Sequence, residues 1–240
     1  KYPSFDINLV DVGCGSGNFI VWSINQSLFF KECLLIDNNQ YLLDDIKSNI
    51  KANIKKTLTI KTKRNNKYHL ITGKDKVLSE LKIKRMDIKK INNFPDGFNI
   101  ISLSAIVDLM SKSILTQILS MVDENNTLFC SLCFDGTVKW KPSHTHDKYI
   151  LKFFNDNQMT QKSMGVALGF TAIDYLKNRA KKLNMKIKMC KSPWLIDNKS
   201  LVNRKFILRY LLDVKKSLFC MEGIDKDILR KWYIDKKSEQ

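Results

Sequence analysis

The first residues of this chain whose types and spacing could do chemistry are Asp11-Val-Gly13-Cys-Gly15-Ser-Gly17. Glycines at alternate positions let a backbone turn tightly through positive φ and let a ligand come close. Gly13 and Gly15 suit those two tasks, and Gly17 suits close packing of a following helix on the strand. The spacing is not G-x-G-x-x-G, so this is not the usual pyrophosphate cradle. Asp11, two positions ahead of the first glycine, suits a ligand that carries a cationic amine, not one that presents phosphates. A second carboxylate, Asp37, follows at the about 20-residue interval that a βαβ unit requires. At a strand tip it can accept hydrogen bonds from two neighbouring ribose hydroxyls.

Positioning these groups takes a buried strand, a turn and a helix. Ile7, Leu9, Val10 and Val12 form the aliphatic run before the turn, and the apolar stretch Phe19 to Phe30 reads as the first helix. A ligand in the turn would sit at that helix's N-terminus. Glu32-Cys-Leu-Leu-Ile-Asp37 reads as a second buried strand. Asn38 and Asn39 then cap a helix from about Gln40 to Lys55, with Leu42, Leu43, Ile46 and Ile50 as its apolar stripe.

With an acidic residue followed by G-x-G-x-G, the chain resembles the class I S-adenosylmethionine-dependent methyltransferases. The resemblance implies an α/β fold with a Rossmann-like sheet in the order 3-2-1-4-5-7-6, in a single domain over 1–240. It implies S-adenosyl-L-methionine as cofactor. Asp11, Gly13, Cys14, Gly15, Gly17 and Asn18 would then surround its amino-acid end, and Asp37 with Asn38 would hold the ribose. Asp87 and Ile88 would lie at the adenine, and Ser104 in the loop that faces cofactor and substrate.

Further along, Thr57–Thr62 and Tyr68–Thr72 read as an inserted β-hairpin near 57–72, with the paired asparagines Asn65 and Asn66 at its turn. His69 is a strand residue in this reading. Leu81–Asp87 is expected as the third strand, Phe98–Ser104 as the fourth, Lys112–Val122 as a helix and Thr127–Phe134 as the fifth strand. Lys186–Cys190 is expected as the sixth. A seventh cannot be placed. Thr171 caps a helix through Leu183. Lys199–Phe219, with Leu201, Phe206, Ile207, Tyr210 and Leu211 as its buried stripe, and a helix after Glu222 form a C-terminal helical extension over 199–240.

The tract from Phe134 to Trp194 resembles one bacterial group of class I methyltransferases of undefined substrate. It shares Asp135-Gly136, Trp140-Lys-Pro142, Asn155 with Gln158, Gly165 to Gly169, and Ser192-Pro-Trp194. The resemblance implies that 137–170 covers the substrate, with Asp108, Trp140, Asn155 and Gln158 as contacts and Asp108 or Asp135 as a candidate base. The loop after the fourth strand carries no Asn-Pro-Pro-Tyr or Asp-Pro-Pro-Tyr and no Pro-Cys, the signatures of several nucleic-acid methyltransferases.

The net charge of +17 attracts polyanions. The lysines are nevertheless spread along the chain among many Asn and Ile, the pattern of an AT-rich genome, and they greatly outnumber the arginines that read bases. The six cysteines show no disulfide framework, and Cys130 and Cys133 point to opposite faces of a strand. His144, His146 and Asp147 lie together but are read as loop residues, so no metal is expected. No apolar run of about 18 residues would span a membrane, no signal peptide is expected, and an N-terminal helix or a seventh strand outside this sequence is left open. The expectation is a cytoplasmic enzyme that transfers a methyl group to a small-molecule acceptor. An RNA methyltransferase using its basic surface and a non-catalytic cofactor-binding subunit are the alternatives, and the oligomeric state is open.

Overall fold

A computed structural model describes residues 4–63 and 67–239. The chain forms two compact units. One holds the residues up to Val107 together with Ser113–Cys133, and the other holds Asp108–Lys112 and everything from Phe134 onward.

In the first unit β1 (Ser4–Phe5) precedes β2 (Asn8–Val12), α1 (Asn18–Asn25), β3 (Phe29–Phe30) and β4 (Glu32–Asp37). Leu9, Val10, Asp11 and Val12 are all buried, as a strand covered on both faces must be. α1 stops at Asn25, short of the expected Phe30. Ser27 takes φ 60°, and Phe29–Phe30 pairs in parallel with Ser4–Phe5 instead of extending the helix. α2 (Gln40–Asn53) begins at Asn39, whose Oδ1 accepts from Tyr41 N–H at 3.1 Å. Leu43, Ile46 and Ile50 form its inner stripe, while Leu42 faces outward.

β5 (Leu58–Thr62) and β6 (Lys67–Thr72) pair antiparallel, and β6 pairs antiparallel with β7 (Val77–Arg85). The expected asparagine turn of this hairpin, residues 64–66, lies outside the described residues. His69 is a strand residue, 3.3 Å from Glu80 Oε2. β8 (Asn99–Ser104), α3 (Lys112–Ser120) and β9 (Asn126–Ser131) follow, and α3 carries Ile114, Leu115, Ile118 and Leu119 inward.

The sheet has seven strands in the order β5-β6-β7-β4-β2-β8-β9. Its five parallel strands β7, β4, β2, β8 and β9 reproduce the expected Rossmann-like order 3-2-1-4-5, so the α/β class stands. The outer two strands correct the expectation. They are the hairpin added beyond the third strand, and no strands continue past the fifth among the described residues. Lys186–Cys190, expected as strand six, is irregular. Its alternation of Ile and Met with Lys has strand character, but the segment finds no pairing partner.

The second unit is helical. α4 (Asp147–Gln158) is followed by the short pair β10 (Gln161–Lys162) and β11 (Gly165–Val166), then by α5 (Ala172–Lys182), α6 (Leu201–Phe219) and α7 (Lys226–Ser238). Its core gathers Ile150, Leu211, Val214, Leu218, Ile224, Leu229 and Trp232. Of the expected stripe of α6, Ile207, Tyr210 and Leu211 lie on the packed face, but Leu201 and Phe206 are exposed.

Candidate functional site

β2 delivers the chain into the glycine turn at the carboxyl end of the central strands, where open α/β sheets hold ligands. Gly13 N–H and Cys14 N–H both donate to Ile36 O, at 2.8 and 3.0 Å, so the turn is sewn to the end of β4. Asp37 completes the stitch. Its Oδ2 accepts from Gly15 N–H and its Oδ1 from Asn39 N–H, both at 2.9 Å. The structure thus brings together the two ends of the expected cofactor motif, turn and strand-tip carboxylate.

Two glycines are required here for different reasons. A Cβ on Gly13, at φ +71°, would fall 2.2 Å from Ile106 Cδ1. Gly15, at φ +53°, has no atom within 4 Å of where a Cβ would stand, so it borders open space on the side a ligand would approach. Behind the turn, Asn49 Nδ2 donates to Ser16 O at 2.9 Å and to Asn18 Oδ1 at 3.0 Å, tying α2 to the start of α1. Gly17 N-caps α1 in the left-handed region and offers no side-chain acceptor to its first N–H groups.

Asp11 is the unusual group. It is 1% exposed, and neither carboxylate oxygen has a hydrogen-bond partner. Ser102 stands opposite it in register on β8. That hydroxyl favours the anion, yet it does not reach hydrogen-bond geometry, and Ser102 Oγ is itself without a partner. Burial raises the Asp11 carboxyl to about 7, and the negative charge of Asp37 adds to the rise. The Cys14 thiol is pushed up first by burial and then by Asp11 and Asp37, and it donates to Gly15 O at 3.6 Å. It is held as a thiol, which removes it as a nucleophile.

Asp87 N-caps a 3₁₀ turn over Ile88–Lys90, with Oδ1 accepting from Lys89 N–H at 2.9 Å. Ile88 is buried beside it, and Arg85 Nε donates to Asn38 O at 3.2 Å. Ser104 Oγ accepts from Ser131 Oγ at 3.0 Å. Ser102 and Ile106 were not among the expected site residues. A serine between Ile101 and Leu103 in the buried part of β8 is the sequence signal that could have found the first.

In the second unit Asp108 lies in a short 3₁₀ turn, and burial raises its carboxyl. Asp135 Oδ1 accepts from Thr137 N–H at 2.9 Å, which makes it a turn anchor. Asn155 Nδ2 donates to Gly136 O at 3.1 Å, while its Oδ1 is buried without a partner. The backbone of Gln158 packs against Gly169. Trp140 stands edge-on to Trp232 at 5.2 Å and leaves its indole N–H without a partner. With Val138, Lys139, Lys141, Pro142, Ser143 and Asp147 it lines an open cleft of about 540 Å³. His144 and His146 serve the loop. His146 N–H donates to His144 Nδ1 at 3.1 Å, and His144 Nε2 lies 3.0 Å from Asp235 Oδ2. Accepting at Nδ1 places the ring proton of His144 on Nε2.

No family model matches the chain, and no curated protein matches it. Solved structures do resemble it. A SAM-dependent methyltransferase of Leishmania major aligns at 11% identity over 55% of this chain and 44% of its own, with a TM-score of 0.37. A proposed S-adenosylmethionine-dependent methyltransferase from Listeria monocytogenes aligns at 18% identity over 58% and 56%, with a TM-score of 0.35. A proposed methyltransferase from Bacillus halodurans aligns at 10% identity over 85% and 78%, with a TM-score of 0.46. The chain spans about half the length of the first two. At these scores the assignment of the fold rests on the strand order and the glycine turn themselves.

Proposed function

We propose that the glycine turn binds S-adenosyl-L-methionine and that the chain transfers its methyl group to a small-molecule acceptor. The observation that carries this reading is the buried Asp11 carboxylate with both oxygens unpartnered. Such a group costs several kcal/mol unless charge and donors reach it. An α-ammonium held near the turn supplies positive charge, and the residues present fit it. Gly15 borders open space, α1 has no side-chain cap, and Asp37 is anchored through single lone pairs that leave its oxygens acceptor capacity for two hydroxyls.

In this reading Asp11, Gly13, Cys14, Gly15, Gly17 and Asn18 surround the amino-acid end, Asp37 and Asn38 hold the ribose, and Asp87, Ile88 and Ser104 border the adenine and the methyl-bearing centre. Asp87 caps its turn through one oxygen and keeps the other for an amino group. Bound there, the cofactor supplies a methyl on a sulfonium, an activated leaving group, so the protein's part is alignment and removal of the acceptor's proton. Asp108 is the proposed proton acceptor, because burial raises its carboxyl towards useful basicity. Trp140, Asn155 and Gln158 are proposed acceptor contacts, with Trp140 Nε1 and Asn155 Oδ1 the polar atoms still unpartnered. A small acceptor is favoured over a nucleobase because the loop after β8 carries no Asn-Pro-Pro-Tyr, Asp-Pro-Pro-Tyr or Pro-Cys.

Calorimetric titration with S-adenosylmethionine and S-adenosylhomocysteine tests this, against Asp37→Ala and Gly15→Val. The expected result is micromolar binding that both variants lose. A folded chain that binds neither compound would overturn the reading.

A further inference from the structure

The richest unassigned surface lies between α5 and the first turns of α6. Leu195 is 91% exposed, Val202 76%, and Trp194 and Leu201 61% each, with Met189 and Phe206 also open to solvent. Large apolar side chains this bare and this close in sequence are not the scattered exposures of an ordinary surface.

The segment is shaped, although it has no regular structure before Leu201. Asp197 Oδ1 accepts from Lys199 N–H at 3.1 Å and from Asn203 Nδ2 at 3.3 Å. Ser200 Oγ accepts from Asn203 N–H at 3.1 Å and starts α6. These two caps fix a bend with Trp194, Leu195 and Ile196 before it and Leu201 and Val202 after it. The Trp194 ring lies 6.2 Å from that of Phe206, which stacks at 5° on Tyr210. The apolar tip is therefore braced from below by aromatic rings.

Its charge decides the partner. Residues 181–209 hold nine Lys and Arg, namely Lys181, Lys182, Lys186, Lys188, Lys191, Lys199, Arg204, Lys205 and Arg209, against the single carboxylate of Asp197. About half of the chain's net +17 thus sits in this stretch. Like charge opposes a second copy of the chain at this face. RNA would stack on aromatic rings, yet the barest side chains here, Leu195 and Val202, are aliphatic and offer nothing to a base. Aliphatic and indole side chains in a stretch dense in lysines are what an anionic bilayer surface takes, with the chains in the acyl boundary and the ammonium groups at the headgroups.

We propose that the bend at Trp194–Val202 docks this protein on anionic lipid surfaces. No helix among the described residues is long and apolar enough to cross a membrane. Docking of this kind rests on the surface and needs none. The proposal is independent of the cofactor reading.

The test is co-sedimentation of the full chain with vesicles of phosphatidylcholine alone and of phosphatidylcholine with phosphatidylglycerol, read together with tryptophan emission. The expected result is binding to the mixed vesicles that falls with salt and is weak on neutral ones. The emission should shift to the blue, and Trp194→Phe should remove that shift. The pair Leu195→Asp with Val202→Asp should weaken binding at least about tenfold, and circular dichroism should show both variants folded. Absence of binding to the mixed vesicles at low salt would overturn the proposal. So would binding that the double variant leaves unchanged, or an emission shift that survives loss of Trp194. A chain that self-associates through this face, or binds single-stranded RNA there with the same loss in the double variant and no lipid affinity, would overturn it in favour of that partner.

Discussion

Two carboxylates, one in each unit, are withdrawn from solvent to very different effect. Asp147, at the start of α4, is fully employed. Its Oδ1 accepts from Trp232 Nε1 at 2.8 Å, its Oδ2 accepts from His144 N–H at 2.7 Å, and Lys236 Nζ lies 3.4 Å from Oδ2. Lys236 also donates to Pro142 O, so the wall of the cleft is pinned to α7. Asp11, on β2, is deeper and receives nothing. The first arrangement is what a fold does with a buried charge when only stability is at stake. The second leaves the cost in place, as sites built for a ligand do.

The comparison breaks most visibly at Asp147. Asp147→Ala should cost about 3 kcal/mol, because it takes the nearer carboxylate from the buried Lys236 ammonium and the acceptor from Trp232 Nε1. Chemical denaturation would register this as a lowered midpoint. A loss under about 1 kcal/mol would mean that the network is ornamental. Gly13→Ala should cost less, about 1–3 kcal/mol, from its left-handed φ and the clash with Ile106. Adding Ile106→Ala should recover the steric part and leave the backbone part. If the second change recovers nothing, the strain lies elsewhere in the turn. Asp11 should respond in the opposite direction from both.

The glycine-turn side of this contrast could be read in the sequence, and the reason is locality. The glycine spacing, the aliphatic runs around it and the carboxylate at the tip of β4 lie within one βαβ unit, so their roles follow from neighbours along the chain. Asp87 was readable either as a ligand-facing carboxylate or as a simple cap, and the sequence could not choose because both roles ask for the same residue. The edge of the sheet was harder. The hairpin's alternation was plain, but whether its strands join the sheet beyond β7 depends on an edge that local pattern does not reveal. Lys186–Cys190 alternates like a strand and has no partner, so propensity alone misled. The Asp147–Trp232–Lys236 network joins residues some 85 positions apart, and nothing in the neighbourhood of either end announces it. The N-terminal end of the α6 stripe was misread for a related reason, although Ile207, Tyr210 and Leu211 were placed correctly. Leu201 and Phe206 are as apolar as Leu211 and Leu218, and only the docking of α4 and α7 decides which face is covered.

The measurement that bears most directly on Asp11 is thermal unfolding of the chain and of Asp11→Asn at pH 8, each with and without S-adenosylhomocysteine. In the unfolded chain an aspartate loses its proton near pH 4, whereas in the fold Asp11 keeps it until about 7. Stability should therefore fall as pH rises from about 4 to about 7 and stay lowered above that. At pH 8 the carboxylate is an uncompensated buried charge. Asp11→Asn removes it and should raise stability by about 1–2 kcal/mol, seen as a higher Tm, while the ligand should raise the Tm of the unaltered chain only. A variant that is less stable than the parent and is stabilised equally by the ligand would contradict the account, because Asp11 would then be a structural residue like Asp147.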